Sequence, residues 1–189
     1  TTEVLYDAAY HLYPIESRNA LFVQDGDTRQ KTVSVFDTLC GLPSSVTDAN
    51  GSVTGLAYDA LCRLTQKTQV LGAYEAYDYL DFGNPALQAV RVRKPGPAGA
   101  GELWAKSSFD GLGRIVATEA RSPDPTQVIM TQTAYNARGQ VASTTAQPYY
   151  APAETPQLVT TSYDALDRPV LIKNADATTQ TLSYAESDP

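Results

Sequence analysis

The sequence has little histidine and little cysteine, and each shortage removes a class of site. Among its 189 residues His11 is the only histidine, so neither a histidine-based catalytic triad with a spare base nor a multi-histidine metal site can be assembled. Cys40 and Cys62 are the only cysteines, too few to close a tetrahedral zinc site, and their spacing is not that of a CxxC redox pair. We therefore expect no cofactor and no metal.

Positive charge and long apolar runs are also scarce. The chain has 14 basic and 21 acidic residues, a net charge of −7, and a nucleic-acid partner is disfavoured because phosphate binding needs a basic face. The only dense basic stretch, RVRK at 91–94, is interpreted as a solvated strand end. No apolar run approaches the roughly 20 residues of a membrane-spanning helix, so we expect no membrane span.

Sequence motifs for catalysis are missing as well. No serine lies in a G-x-S-x-G motif and no glycine-rich phosphate loop follows a predicted strand. The chain begins with TTEV, without an initiator methionine or a signal peptide, and we interpret it as an excerpt of a larger protein.

The sequence contains one motif that repeats several times. It consists of an aromatic residue, an acidic residue and then an apolar, strand-like stretch. The copies begin near residues 6, 36, 58, 77, 109, 135 and 163, and those at 6 and 77 are degenerate. The third position after the aromatic is leucine in four of the five better copies: Leu39, Leu61, Leu112 and Leu166, with Arg138 in the other. We expect residues 1–189 to form a single array of such repeats.

Each copy is typical of a β-hairpin. Stretches such as GSVTGLAYD at 51–59 are rich in Val, Thr, Leu and Tyr without helical periodicity. DANG at 48–51 is a strong turn signal, and an acid after the aromatic can cap a second turn by accepting backbone N–H groups. The sequence predicts an all-β chain of strand, turn, strand and turn, with no convincing amphipathic helix and no helix longer than two turns.

These residues resemble a known family. YDALCRLTQKTQ, FDGLGRIVATEA, YDALDRPV and DANGSVTGLAYD look like the YD repeats of Rhs proteins, which also occur in the B and C components of Tc insecticidal toxins and in teneurins. The pattern covers nearly the whole chain. The resemblance implies consecutive antiparallel hairpins in a curved, spiralling sheet, a segment of a hollow shell.

The resemblance also implies a function, a location and partners. In the toxins of this family the shell encloses an effector polypeptide, so we expect a non-catalytic structural segment that encapsulates or scaffolds a toxin or effector. Its partners would be the rest of its own parent polypeptide and the enclosed effector domain. By resemblance alone the protein is secreted or at the cell surface.

The residues that define the repeat are the site prediction, and we assign them structural roles. They are the aromatic, the acid and the turn residues that recur: Tyr6, Asp7, Phe36, Asp37, Tyr58, Asp59, Phe109, Asp110, Gly113, Arg114, Tyr135, Gly139, Tyr163, Asp164 and Tyr184. We expect the rings to pack on the equivalent ring or leucine of the next hairpin, and rings and leucines together to supply most of the apolar burial.

Three other interpretations compete with this one. Exposed tyrosines and Trp104 could form a carbohydrate-binding or adhesion module, with glycans as partners. The acids could form a glycosidase pair, but a catalytic pair is unique whereas these acids recur at one repeat position, so we expect no enzyme. Loop oxygens of Asp25, Asp27, Asp48 and Asn50 could bind calcium. The favoured interpretation of these residues is that they form solvated turns.

The two cysteines occupy the same repeat position, four residues after the aromatic, in consecutive copies. If the hairpins stack in register, equivalent positions lie about twice the ~4.8 Å strand spacing apart. That exceeds the roughly 7 Å limit on the Cα–Cα separation of a disulfide. The sequence therefore predicts two free thiols.

Overall fold

The computed structural model describes residues 2–97 and 101–184. These residues form two compact units. One lies within Thr1–Asp78 and Val92–Glu102, and the other within Tyr79–Arg91 and Leu103–Pro189.

The first unit is a run of antiparallel strands in which each strand pairs with its neighbours in the sequence. Its elements are β1 (Glu3–Tyr6), β2 (Pro14–Arg18), α1 (Ala20–Asp25), β3 (Lys31–Asp37), β4 (Leu42–Thr47), β5 (Val53–Tyr58), β6 (Leu64–Thr68) and a single 3-10 turn (Val70–Gly72). Three further strands have residues in both units: β7 (Tyr74–Leu80), β8 (Ala89–Pro95) and β9 (Glu102–Phe109).

The second unit continues the same arrangement. Its remaining strands are β10 (Ile115–Arg121), β11 (Val128–Tyr135), β12 (Val141–Thr145), β13 (Tyr149–Ala151), β14 (Leu158–Tyr163), β15 (Pro169–Lys173) and β16 (Thr179–Thr181). One strand, β11, has two partners on the same side, because its first residues pair with β13 and its last residues pair with β12. The predicted all-β fold of consecutive antiparallel hairpins is confirmed.

A β-bulge accompanies the repeated aromatic residue. In five hairpins the strand register shifts by one residue immediately before that residue: at Leu5/Tyr6, Val35/Phe36, Ala57/Tyr58, Ala134/Tyr135 and Ser162/Tyr163. A bulge bends its strand and increases the local twist. The aromatic residue therefore marks the place where each strand leaves regular pairing and enters the turn.

One short helix interrupts the strands, and its length is within the predicted limit of two turns. The six-residue helix α1 follows β2, and the side chain of Asn19 caps its start by accepting the N–H of Phe22. Gly26 ends it in a left-handed conformation, with φ of 70°. An Asn cap and a closing Gly are helix boundary signals that can be read from sequence, but they enclose too short a segment for periodicity to appear.

Neither unit contains a conventional core. Among the described residues only Ala76, Ala89, Tyr149 and Ser122 are buried. The strands form a layer in which most side chains keep part of their surface in water, so paired backbone and contacts between neighbouring hairpins hold the strands together. No helix in the described part of the chain is long and apolar enough to cross a membrane.

Candidate functional site

The repeated acid builds the same turn in three places. In each, one carboxylate oxygen of the aspartate accepts the backbone N–H groups of the second and fourth residues after it. For Asp59 these donors are Leu61 at 2.9 Å and Arg63 at 3.0 Å. Asp110 and Asp164 repeat both bonds at 2.9 Å. We call this arrangement the capped turn.

The other carboxylate oxygen of the capped turn binds an arginine four residues further on. The Nε group of Arg63 donates to Oδ2 of Asp59 at 2.7 Å. The pairs Arg114–Asp110 and Arg168–Asp164 have the same geometry, at 2.8 and 2.7 Å. Arg114 is among the predicted repeat residues, whereas Arg63 and Arg168 are not, although the fixed D-x-x-x-R spacing indicates all three.

The backbone of the capped turn needs one residue in the left-handed region. That residue stands three positions after the acid, and its φ is 59° at Cys62, 78° at Gly113, 85° at Gly139 and 65° at Asp167. Its N–H donates back to the carbonyl of the acid, as from Cys62 to Asp59 at 2.9 Å. Such a turn followed by a left-handed residue is a common way to close a hairpin through a bulge.

Other copies depart from this scheme in instructive ways. Asn136 accepts the N–H groups of Arg138 and Gln140 at 2.9 and 3.0 Å, as an aspartate would, and its amide donates to the side chain of Gln140 at 2.7 Å. A neutral pair thus replaces the ion pair. At Asp37 the turn is one residue longer, and the left-handed residue is Gly41, with φ of 66°.

The degenerate copy at residue 77 lies within a strand and not at the start of a turn. Tyr77 and Asp78 lie inside β7, and the following turn begins only at Asp81. Asp78 instead accepts two hydrogen bonds from Arg93, at 2.8 and 3.0 Å. Arg93 also contacts Glu102 at 3.0 Å, so part of the one dense basic stretch of the chain is neutralised by neighbouring acids.

Hydrogen bonding lowers the pKa of the turn carboxyls. The backbone N–H of Arg63 is the largest cause of the lowered pKa of Asp59. The backbone N–H groups of Arg114 and Arg168 act in the same way on Asp110 and Asp164, and the arginine side chains add to the effect. A general acid needs a raised pKa. These carboxylates are therefore suited to holding a turn and poorly suited to donating a proton.

The repeated tyrosine ties each hairpin to the previous one. The hydroxyl of Tyr58 donates to the backbone carbonyl of Pro43, at 2.8 Å, near the start of β4. Three other tyrosines make the equivalent bond to the start of an earlier strand: Tyr135 to Ile115 at 3.2 Å, Tyr163 to Val141 at 2.9 Å and Tyr184 to Pro169 at 2.9 Å.

Arginine completes the connection between hairpins. The guanidinium of Arg114 lies 4.1 Å from the ring centroid of Tyr135, and that of Arg168 lies 4.4 Å from the ring centroid of Tyr184. Each of these arginines is bound to the aspartate of its own turn while it covers the ring of the next copy. Phe36 stacks on Tyr13, with ring centroids 5.0 Å apart, and Tyr13 is not one of the repeated aromatic residues.

The expected burial of the repeated leucines is wrong. Leu39, Leu61, Leu112 and Leu166 are between 72% and 84% exposed. They stand at the tips of the turns, beyond the last paired strand residues, where nothing else in the described chain covers them. Their recurrence reflects the turn and not a core position.

The remaining predicted residues occupy strand ends or open turns. Tyr6 ends β1 and is exposed, and Asp7 caps a longer turn by accepting the N–H groups of Tyr10, Leu12 and Tyr13. Phe109 ends β9 immediately before the Asp110 turn.

Trp104, the residue on which the glycan interpretation depends, lies half-buried within β9.

The prediction of free thiols is wrong. Cys40 and Cys62 form a disulfide, with a Cα–Cα separation of 5.4 Å. The free-thiol prediction placed the two cysteines two strand spacings apart. However, the pairing between β4 and β5 ends at Ser45 and Gly55, before the turns begin. Toward the turns the hairpins are no longer held at that spacing, and the longer turn at Asp37 allows the two cysteines to converge.

Two of the four side chains considered for calcium, those of Asp27 and Asp48, are engaged within their own loops. Asp27 pairs with Arg29 at 2.9 Å, and this contact lowers the pKa of Asp27 to about 2. Asp48 accepts the N–H groups of Asn50 and Ser52 at 2.8 and 2.9 Å. Within residues 2–97 and 101–184, no three or more His, Cys, Asp or Glu side chains cluster closely enough to hold a metal.

Comparison with known proteins agrees with this geometry. Residues 41–85 match the family model described as RHS Repeat. This segment of the chain carries the RHS repeat. The matched RHS segment includes β4, β5, the capped turn of Asp59 and β6. No curated protein matches the sequence.

Solved structures share the fold of this chain. The crystal structure of TcdB2-TccC3-Cdc42 superposes with a TM-score of 0.66 at 14% identity, over 95% of this chain and 14% of that one. The structure of TcdB2-TccC3 without its hypervariable C-terminal region gives a TM-score of 0.66 at 13% identity, over 95% and 14%. The chain thus spans a small part of the length of these proteins.

A substitution series at Asp110 tests the capped turn. Asp110→Asn keeps an oxygen for the two backbone donors, as Asn136 does, but loses the ion pair with Arg114. Asp110→Ala loses both. We expect the melting temperature to decrease from wild type to Asp110→Asn, and to decrease further in Asp110→Ala. Asp25, an exposed carboxylate at the end of α1, provides matched controls, and equal losses in the two series would contradict the capping role.

Removing a tyrosine hydroxyl tests the bond between hairpins. Tyr163→Phe deletes the donor to the Val141 carbonyl and leaves the ring in place. We expect a loss of about 1 kcal/mol in unfolding free energy, the usual net value of one hydrogen bond, measured by urea denaturation. Tyr150→Phe, at an exposed tyrosine, should change stability much less.

The pH dependence of stability tests the carboxylate at the first turn. Backbone N–H groups, chiefly that of Tyr13, lower the pKa of Asp7 from 3.8 to about 2. A depressed native pKa stabilises the fold above the unfolded pKa, and this contribution is lost as pH falls through the native one. The melting temperature of wild type should therefore fall between about pH 4 and pH 2. Asp7→Asn should show a smaller fall than Asp25→Asn, and identical profiles would refute the assignment.

Proposed function

We propose that this chain is a non-catalytic wall segment of an RHS-repeat shell that encloses or scaffolds an effector polypeptide. The observation that carries the proposal is the use of the repeated side chains. In the capped turns, aspartate and arginine close one hairpin, and arginine and tyrosine connect it to the next. Because each hairpin contacts the next through the repeated side chains, a sheet built this way can be extended by adding hairpins. A shell wall needs this property.

The fold comparison supports a larger assembly. The chain has the fold of about a seventh of a TcdB2-TccC3 chain, and the name of one such structure refers to a hypervariable C-terminal region in that protein. We infer that the array continues beyond these residues. The partners in this proposal are the rest of the parent polypeptide and a polypeptide enclosed by it.

The mechanism in this proposal is physical exclusion. Neighbouring strands lie about 4.8 Å apart and are joined by backbone hydrogen bonds, so no other polypeptide passes between them. A cargo behind such a wall is protected from proteases. The wall needs no catalytic group, and the lowered pKa values of Asp59, Asp110 and Asp164 fit a structural role.

We also propose that the protein works outside the reducing interior of a cell, as a secreted or surface protein. The Cys40–Cys62 disulfide supports this location, because such bonds form and persist mainly in oxidising compartments.

The test is protease protection in the full-length protein that contains these residues. In the wild type we expect a protected fragment from within the shell after limited proteolysis, and a hollow particle by electron microscopy. Combining Asp59→Ala, Asp110→Ala and Asp164→Ala weakens three capped turns and should expose that fragment to cleavage. The control is Asp25→Ala, which should leave the protection unchanged.

Two results would overturn the proposal. One is a wild-type digest without any protected fragment. The other is saturable binding on a glycan array that Trp104→Ala abolishes, which would make the chain an adhesion module.

A further inference from the structure

Several turns contact the next copy of the repeat, and the chemistry of this contact differs from place to place. Arg114 covers Tyr135 and Arg168 covers Tyr184. Between the turns of Asn136 and Asp164, Arg138 binds the carboxylate of Asp167 at 2.6 Å. We call each such contact a junction. All three of these junctions are non-covalent.

The junction between the turns of Asp37 and Asp59 lacks the arginine. Leu42 directly follows the left-handed residue of the Asp37 turn, where the capped turns have Arg63, Arg114 and Arg168. No guanidinium is therefore available in that position to cover the ring of Tyr58. The Cys40–Cys62 disulfide joins these two turns instead.

Strand pairing does not secure this junction. The register of β4 with β5 comprises Ser45↔Gly55, Val46↔Thr54 and Thr47↔Val53, all at the end of the strands away from the capped turns. Near the turns the hydroxyl of Tyr58 donates to the carbonyl of Pro43 at 2.8 Å. The disulfide thus provides a second tie at the end of the hairpin where the ladder is absent.

The disulfide is within reach of small reagents. Both cysteines lie in turns at the edge of the strands, and both are half-exposed. Leu39 and Leu61 next to them are strongly exposed, so no second layer of the described chain covers this edge.

We propose that the Cys40–Cys62 disulfide makes this junction a redox-controlled clamp, closed in an oxidising compartment and opened by a dithiol reductant. In opening, the sulfur–sulfur bond accepts two electrons and two protons from the dithiol. The products are two cysteine thiols and the cyclic disulfide of the reductant. In closing, a disulfide oxidant such as oxidised glutathione takes the same electrons and protons and leaves as two thiols. The other junctions contain no redox group and keep their strength in both states.

The first test counts thiols in the 189-residue chain after equilibration with oxidised glutathione. Under denaturing conditions without reductant we expect no reactive thiol, and after dithiothreitol we expect two, from Cys40 and Cys62. Two thiols before reduction would show that the turns do not meet, and would overturn the proposal.

The second test locates the effect by hydrogen exchange. Closing a loop of 22 residues restricts the opened chain. On reduction we therefore expect opening of the turns at 37–41 and 59–63 to become more favourable by on the order of a hundredfold. Exchange in the turns at 110–114 and 164–168 serves as the internal control and should not change.

A variant separates the clamp from any other effect of the reductant. The double change Cys40→Ser and Cys62→Ser should give fast exchange at 37–41 and 59–63 in every condition, with no response to dithiothreitol. Equal exchange of these turns in oxidised and reduced wild type would refute the clamp, and so would a response to dithiothreitol that persists in the double variant.

Discussion

The structure depends on one short-range interaction, an aspartate carboxylate that accepts the backbone N–H groups of its own turn. Without it the N–H groups on either side of the left-handed residue would lose their acceptor within the turn, as those of Leu112 and Arg114 would at Asp110. Because the carboxylate is fixed by two N–H groups, its second oxygen can orient an arginine. That arginine then lies over the tyrosine of the following hairpin. A local cap is in this way the origin of a contact between hairpins.

This dependence explains how a thin layer of strands persists with so few buried side chains. Each hairpin contributes a small set of contacts to the next, and the set is repeated along the chain. Repeat proteins in general derive stability from such nearest-neighbour terms. The strongly exposed leucines of the turn tips show that apolar burial is not the organising term at this edge.

The sequence predicted the hairpins well because their determinants are local. The spacing of aromatic and acid located the turns at Asp59, Asp110 and Asp164, and the residues between them have strand propensity. The disulfide was not predictable in the same way, since the approach of Cys40 and Cys62 depends on where strand pairing stops and on one extra residue in a turn. The helix α1 is too short to show a helical period in the sequence. The leucines are exposed because no second layer of the described chain covers the turns.

The disulfide also has a mechanical consequence for a chain pulled from its ends. Hairpins joined in series detach one after another, so an applied force extends the polypeptide stepwise. The bond between Cys40 and Cys62 keeps a loop of 22 residues out of that extension, which shortens the reachable length by about 75 Å. Passage of the polypeptide through a narrow channel would meet a covalent loop at this point, and only the reduced chain could be threaded as a single strand.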